Sequence, residues 1–152
     1  MNLDIYAKLK RGTIPSGQQL GTAYRFWSRE ERDRNIEPTK EVLWINITYN
    51  LCKMAGHVPI VWVDSKTNQY FDSNLYEVLW RPEEVFTDTI ISLEMLTKPL
   101  EIGLQYLLSH EEQLSKYNPE NGWGHYENFV YCLPQYIRAC YKWPNAVLEI
   151  DR

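Results

Sequence analysis

A chain of 152 residues with 44% hydrophobic and 24% charged side chains has the makings of one domain, residues 1–152. A domain of that length buries roughly 70% of the surface its unfolded chain exposes, so neither a disulfide nor a metal is needed to hold its core. A net charge of −4 and a pI near 5.4 exclude general nucleic-acid binding, which relies on a basic patch.

The three cysteines, Cys52, Cys132 and Cys140, lack CxxC spacing and point to a reducing, cytosolic compartment. No signal peptide opens the chain, and no apolar run reaches the ~18 residues of a membrane span. No membrane partner is expected. The Asn46-Ile47-Thr48 sequon is therefore read as accidental.

In chain order, "LDIYAKL" (3–9) alternates and predicts a short strand. "RGTIPSGQQLG" (11–21) predicts a loop. In "TAYRFWSREERDRN" (22–35), Arg25, Arg29, Arg32 and Arg34 are offset by Glu30, Glu31 and Asp33, which predicts a solvated segment rather than a phosphate site. Thr39 is positioned to cap a helix running to about Ala55, stopped by Gly56. "VPIVWV" (58–63) predicts a strand, and "DSKTNQYFDSN" (64–74) a turn-rich connection with room for a hairpin. Ser73 or Asn74 would cap a short helix "LYEVLW", closed by Pro82. Apolar residues from Ile90 to Leu108 recur at helical spacing and predict a helix from Thr87 to about Ser109, interrupted at Pro99. "KYNPENG" (116–122) predicts a loop, 123–142 a long amphipathic helix, and "AVLEI" (146–150) a strand. The expected fold class is α+β, predominantly helical, with central helices packed on a small sheet made by the N- and C-terminal strands.

Two segments stand out. On a helical wheel, Leu43, Trp44, Ile47, Leu51, Met54 and Ala55 share one face, extended by Ile45 and Cys52. Asn46, Asn50 and Lys53 form a narrow stripe, and no charged residue occurs from Val42 to Cys52. Such a helix belongs at the centre of the domain, and buried amides without partners cost about 1–3 kcal/mol each. Either neighbouring elements bond Asn46 and Asn50, or these amides line a cleft and read a planar polar ligand. Thr48 is able to bond back to a carbonyl one turn earlier.

The second segment is "NGWGHYE" (121–127), a turn leading into a helix that begins near Trp123. Asn121 would cap it, Gly124 permits close backbone approach, and free N–H groups at a helix start suit an anion. Trp123 and Tyr126 offer stacking faces. Along this helix Tyr126, Phe129, Val130, Leu133, Tyr136, Ile137 and Cys140 make the core face, and Glu127, Asn128, Gln135, Arg138 and Lys142 face away. Pro134 removes one backbone bond.

His57, His110 and His125 lack metal spacing, and no GxSxG, P-loop, GxGxxG or HxT pattern occurs. No metal and no cofactor is expected. Cys52 and Cys140 lie on apolar faces, where inert buried thiols are the rule.

"DIY" at 4–6, "WINITYN" at 44–50 and "NGWGHYENFVYCLPQYIRACYKWPNAVLEIDR" at 121–152 resemble a family of small proteins scattered through bacteriophages, prophages and bacterial genomes. Its members open on an Asp-Ile-Tyr-type strand and carry a Leu-Asn-Ile-Thr-Tyr-Asn helix. The most similar subgroup ends with Gly-Trp-Gly-x-Tyr-Glu and an Arg after a short strand. The likeness covers about half of the chain, leaves out 57–116, and departs at Trp44 and Ile45. It implies a phage or bacterial cytosolic setting and no catalytic residue.

The expectation is a phage- or prophage-type accessory protein that binds a small polar, nucleotide-like ligand without enzymatic chemistry, as in sequestering a defence signal. Its site would comprise Asn46, Thr48, Tyr49, Asn50, Trp123, Gly124, Tyr126 and Glu127. Asn46 and Asn50 would read the ligand's polar edge, Tyr49 and Trp123 would stack on it, and amides near Gly122–Gly124 would meet an anionic group. A protein–protein module inhibiting a host or defence enzyme is the alternative, marked by exposure of Trp27, Trp62, Trp80 and Trp143. A small hydrolase or transferase using Glu127 or His125 is the third reading, and it requires those side chains to face one another across a cavity.

Overall fold

The computed structural model describes residues 2–10, 39–88 and 90–152; the expectations for 11–21 and 22–35, including Trp27 and the four arginines, fall outside them. Strand β1 (Asn2–Lys10) buries Leu3, Ile5, Ala7 and Leu9 and turns Asp4, Tyr6 and Lys8 to the other face. That is the period of two written in the sequence.

The segment expected to form the first helix does not do so. Thr39–Thr48 is strand β2, antiparallel to β1 in the register Asp4↔Asn46, Ile5↔Ile45 and Tyr6↔Trp44. Ile45 and Ile47 are buried, while Trp44 and Asn46 are exposed. The physical reason lies in the residues: Val42, Ile45, Ile47 and Thr48 are β-branched and favour the pleated backbone. Asn46 is a poor helix former besides. The chain turns helical only afterwards, through a 3-10 turn (Tyr49–Leu51) into α1 (Cys52–Gly56). Thr48 bonds forward rather than back: its Oγ1 accepts from the Asn50 amide at 3.3 Å.

Strands β3 (Pro59–Val63) and β4 (Tyr70–Asn74) make an antiparallel hairpin in which Trp62 and Phe71 stack at 4.4 Å. Asn74 caps α2 (Leu75–Trp80), accepting from the Glu77 amide at 2.9 Å. A short α3 (Pro82–Phe86) follows, with proline in its first turn. The long helix α4 spans Leu93–Ser109, so Thr87, Asp88 and 90–92 stay outside it and Pro99 is carried within. Gly103 lets α4 approach the hairpin; a Cβ there would sit 3.1 Å from Ile60. After α5 (Glu111–Ser115) comes α6 (Tyr126–Lys142), which starts three residues later than Trp123. It buries Tyr126, Phe129, Leu133, Tyr136 and Cys140, with Val130 and Ile137 half-buried.

Strand β5 (Val147–Asp151) pairs antiparallel with β1, as expected of the terminal strands. The sheet order is β2-β1-β5, so β2 adds a third strand to the two expected. The outer edge of β5 is covered in part, since the Leu148 amide donates to the Ile91 carbonyl at 2.8 Å. Arg152 then donates to the Trp80 carbonyl at 2.6 Å and pairs with Glu83, pinning the strand's end to the α2–α3 junction. The described elements share one buried core between the sheet, α4, α6 and the hairpin. The fold is α+β. Among the described residues no helix is long and apolar enough to cross a membrane.

Candidate functional site

A cleft of about 450 Å³ opens where the end of β2 meets the loop before α6 and the flank of that helix. The alternation of β2 sends Ile45 and Ile47 into the core and leaves Trp44, Asn46 and Thr48 to form one wall. The carboxylate of Asp4 lies directly opposite Asn46 in the register. Its Oδ1 accepts from Asn46 Nδ2 at 2.7 Å and from Trp44 Nε1 at 3.2 Å, fixing both side chains.

The opposite wall is built by the turn 121–125. Asn121 Oδ1 accepts from the Trp123 amide at 2.9 Å, shaping the turn rather than capping the helix. Gly124 has φ +100°, and a Cβ on it would stand 2.7 Å from Thr48 Cγ2 and 3.1 Å from Leu51 Cγ. Only glycine combines that backbone with so close an approach. The helix start is satisfied by two other asparagines. Asn118 Oδ1 accepts from the Tyr126 amide at 2.8 Å, and Asn128 Oδ1 accepts from the His125 amide at 2.6 Å. Along α6, Asn128, Tyr131 and Gln135 sit at i, i+3 and i+7 and continue the wall.

Four of the eight expected residues therefore line one cleft: Asn46, Thr48, Trp123 and Gly124. The other four do not line it. Tyr49 packs with its ring 6.1 Å from that of Trp80. Asn50 is exposed on the 3-10 turn, because strand geometry removes the i,i+4 relation to Asn46. Tyr126 is buried and donates its hydroxyl to the Leu107 carbonyl; burial, then the charges of Glu111 and Glu127, raises its pKa. Glu127 is exposed in the first turn of α6, where the dipole favours a carboxylate. His125 is exposed as well, and neither lines the cleft, so the pair does not meet across a cavity there. The backbone expected to receive an anion at 122–124 is not a helix start.

The cleft is also lined by residues not expected in the site: Asn2, Trp44, Asn128, Tyr131, Cys132 and Gln135, with the buried Ile45, Ile47 and Leu51 beneath. Three aromatic rings dominate: Trp44 is 60% exposed, Trp123 72% and Tyr131 74%. None of the three stacks on another aromatic ring among the described residues. By contrast Trp62, Trp80 and Trp143, expected to mark an interface by exposure, are buried.

Among the described residues that line the cleft, none carries a charged side chain. The neighbouring outer face of the sheet is acidic, since the register sets Asp151 beside Asp4 and Glu149 beside Tyr6. Burial, followed by the charges of Asp4, Glu41, Asp151 and Glu149, pushes the Tyr6 phenol above its ordinary value. Cys132, at the cleft's base, is pushed up to about 12 by burial, which keeps it a thiol rather than a thiolate nucleophile. Among the described residues no group of three or more His, Cys, Asp or Glu is placed to hold a metal ion. No family model matches the chain, and no curated protein or solved structure matches it.

Proposed function

We propose that the chain is a non-enzymatic binding protein whose cleft between β2 and α6 takes a small, uncharged polar ligand with a flat apolar face. The observation that carries the proposal is the lining itself: three exposed rings and several side-chain amides share it, and none of the described lining residues is charged. Rings supply apolar contact area and amides supply donors and acceptors, the usual division of labour in a small-molecule site. At about 450 Å³ the space lies within the roughly 300–1,000 Å³ of such sites. A nucleotide-like ligand would find partners for its base and none for its phosphate among the described wall residues, which include no Lys or Arg. On this reading the protein acts as a phage- or prophage-type accessory protein by holding its ligand.

Amide chemical-shift mapping of the intact chain against a metabolite library tests the proposal. The expected outcome is saturable perturbation confined to 44–48, 123–124 and 128–135 by uncharged compounds. Perturbation of that region by phosphorylated compounds alone would refute it.

The same rings favour a second reading, a module that docks on a protein partner, since exposed Trp and Tyr dominate interface energetics. Photocrosslinking from position 131 in bacterial lysate checks this: a discrete protein adduct lost in Trp44→Ala supports docking, and its absence removes the reading.

A further inference from the structure

We propose that the ligand of this cleft is a neutral saccharide, its sugar rings lying on Trp123, Tyr131 or Trp44 and its hydroxyls bonded by the amides between them. The inference rests on the cleft reading above and adds the ligand's chemical class.

Hydrogen-bonding capacity makes the first selection. Asn128 has spent its Oδ1 on the His125 amide and presents two N–H donors. Asn46 has spent one N–H on Asp4 and keeps an acceptor oxygen and one donor. Gln135, half-buried in the wall, has no partner among the described residues and offers both kinds. A ligand group that both donates and accepts, repeated at short spacing, answers such a mixture, and vicinal hydroxyls are that group. A phosphate only accepts, and an ammonium only donates.

Charge makes the second selection. The described wall residues include no cation to meet an anion, and the carboxylate bonded to Asn46 and Trp44, that of Asp4, carries a phosphate's own sign. The arrangement of the rings makes the third. A planar base is best held in a slot between two rings, and a quaternary cation in a cage of converging rings. Here the three rings stand apart and each is more than half exposed. Separate open platforms suit successive C–H faces of an extended, uncharged, hydroxyl-bearing chain.

The test is a broad glycan array probed with the intact chain, followed by fluorescence and amide-shift titration with its hits. Adenosine, AMP and tetramethylammonium are titrated in parallel. The expected result is saturable binding of at least one neutral glycan, weakened at least tenfold by Trp123→Ala and by Gln135→Ala. Tyr70→Ala, an exposed ring on the distant hairpin, should leave it unchanged. Both cleft substitutions are at solvent-accessible positions, and a native circular-dichroism spectrum confirms that each variant is folded. Binding of adenosine, AMP or tetramethylammonium with no glycan bound overturns the saccharide while leaving a ligand cleft in place. Failure of every compound to perturb 44–48 and 123–135 overturns the cleft reading as well.

Discussion

Replacing Gly124 by Ala probes the joint that creates the cleft. Two costs follow from the geometry. At φ +100° an L side chain is strained by about 1–2 kcal/mol. The new methyl would also stand 2.7 Å from Thr48 Cγ2, closer than carbons approach in packed proteins, and a tight 3.1 Å from Leu51 Cγ. Overpacking of that kind costs about 1–3 kcal/mol. The more restricted unfolded chain returns about 0.4–1 kcal/mol, leaving a net loss of about 2–4 kcal/mol. For a domain of this length that lowers Tm by roughly 4–16 °C. Gly122 supplies the control, since it has φ +74° but nothing within 4 Å of an added Cβ. Gly122→Ala keeps the backbone strain and loses the clash, so about 1 kcal/mol is expected. Thermal and urea unfolding by circular dichroism measures both. Equal losses in the two variants would mean that the 121–125 turn does not press on the end of β2, and the cleft's geometry would be wrong.

Strand β2 makes a graded series: Ile47→Ala should cost about 2–4 kcal/mol by emptying a core position, Asn46→Ala at most about 1 kcal/mol, and Asn50→Ala under about 0.5 kcal/mol. Urea midpoints read the series, and an Asn50→Ala loss rivalling that of Ile47→Ala would refute the strand. Arg152→Ala should cost about 1 kcal/mol, discounted for the partial exposure of both partners, by freeing Glu83 and the Trp80 carbonyl. Burial alone would raise the Glu83 pKa, but hydrogen bonds from Arg152 and the backbone and the charges of Arg152 and Arg81 outweigh it and hold it below its ordinary value. The contribution is therefore present above the unfolded value of about 4.3 and lost as pH falls through the lower folded one. Urea unfolding of both proteins at pH 6 and pH 3 should show the gap between them closing in acid. Cys132 and Cys140, both pushed up to about 12 chiefly by burial, should resist iodoacetamide at pH 8 until the chain unfolds. Intact-mass spectra taken across a urea series follow this, and rapid native labelling would contradict the packing of α6.

Most of the architecture was legible where local signals are self-sufficient. The alternation of 3–9, the Asn74 cap before "LYEVLW", the apolar face of α6 and the pairing of the terminal strands all appear as read. The segment 39–48 was misread because its apolar residues satisfy two periods at once. Leu43, Trp44, Ile47 and Leu51 lie together on a helical wheel, yet Trp44-Ile45-Asn46-Ile47-Thr48 also alternates. What decides between them is a partner some 40 residues away, as in Asp4↔Asn46, and a window of sequence does not contain that pairing. β-branched residues at 42, 45, 47 and 48 were the available clue. The cleft was half legible. Asn46 and Trp123 stand out in the sequence as unusual polar and turn residues, whereas the wheel turns Gln135 to solvent and leaves Tyr131 unplaced. Their i, i+3, i+7 relation to Asn128, beginning beside Trp123, was the signal that places them on one wall.

Strand and helix divide labour differently along residues 44–48. On a helix, Ile47 and Trp44 would have packed together on one buried face, and removing either would have damaged the core. On β2 they point to opposite sides: Ile47 holds the sheet to the helices, and Trp44 stands in the cleft with its Nε1 tied to Asp4. Exposed and core side chains thus occupy alternate residues of one strand. Trp44, Asn46, Trp123, Tyr131 and Gln135 are correspondingly free of core duty, and an ordinary pair of such surface substitutions changes stability by no more than about 1 kcal/mol. Loss of ligand binding in a variant at any of these positions, with the urea midpoint unchanged, is consequently attributable to the cleft itself. If exposed positions such as Trp123 and Tyr131 instead proved as costly to stability as Ile45 or Ile47, their rings would be packed rather than presented, and the cleft would offer no aromatic surface to a ligand.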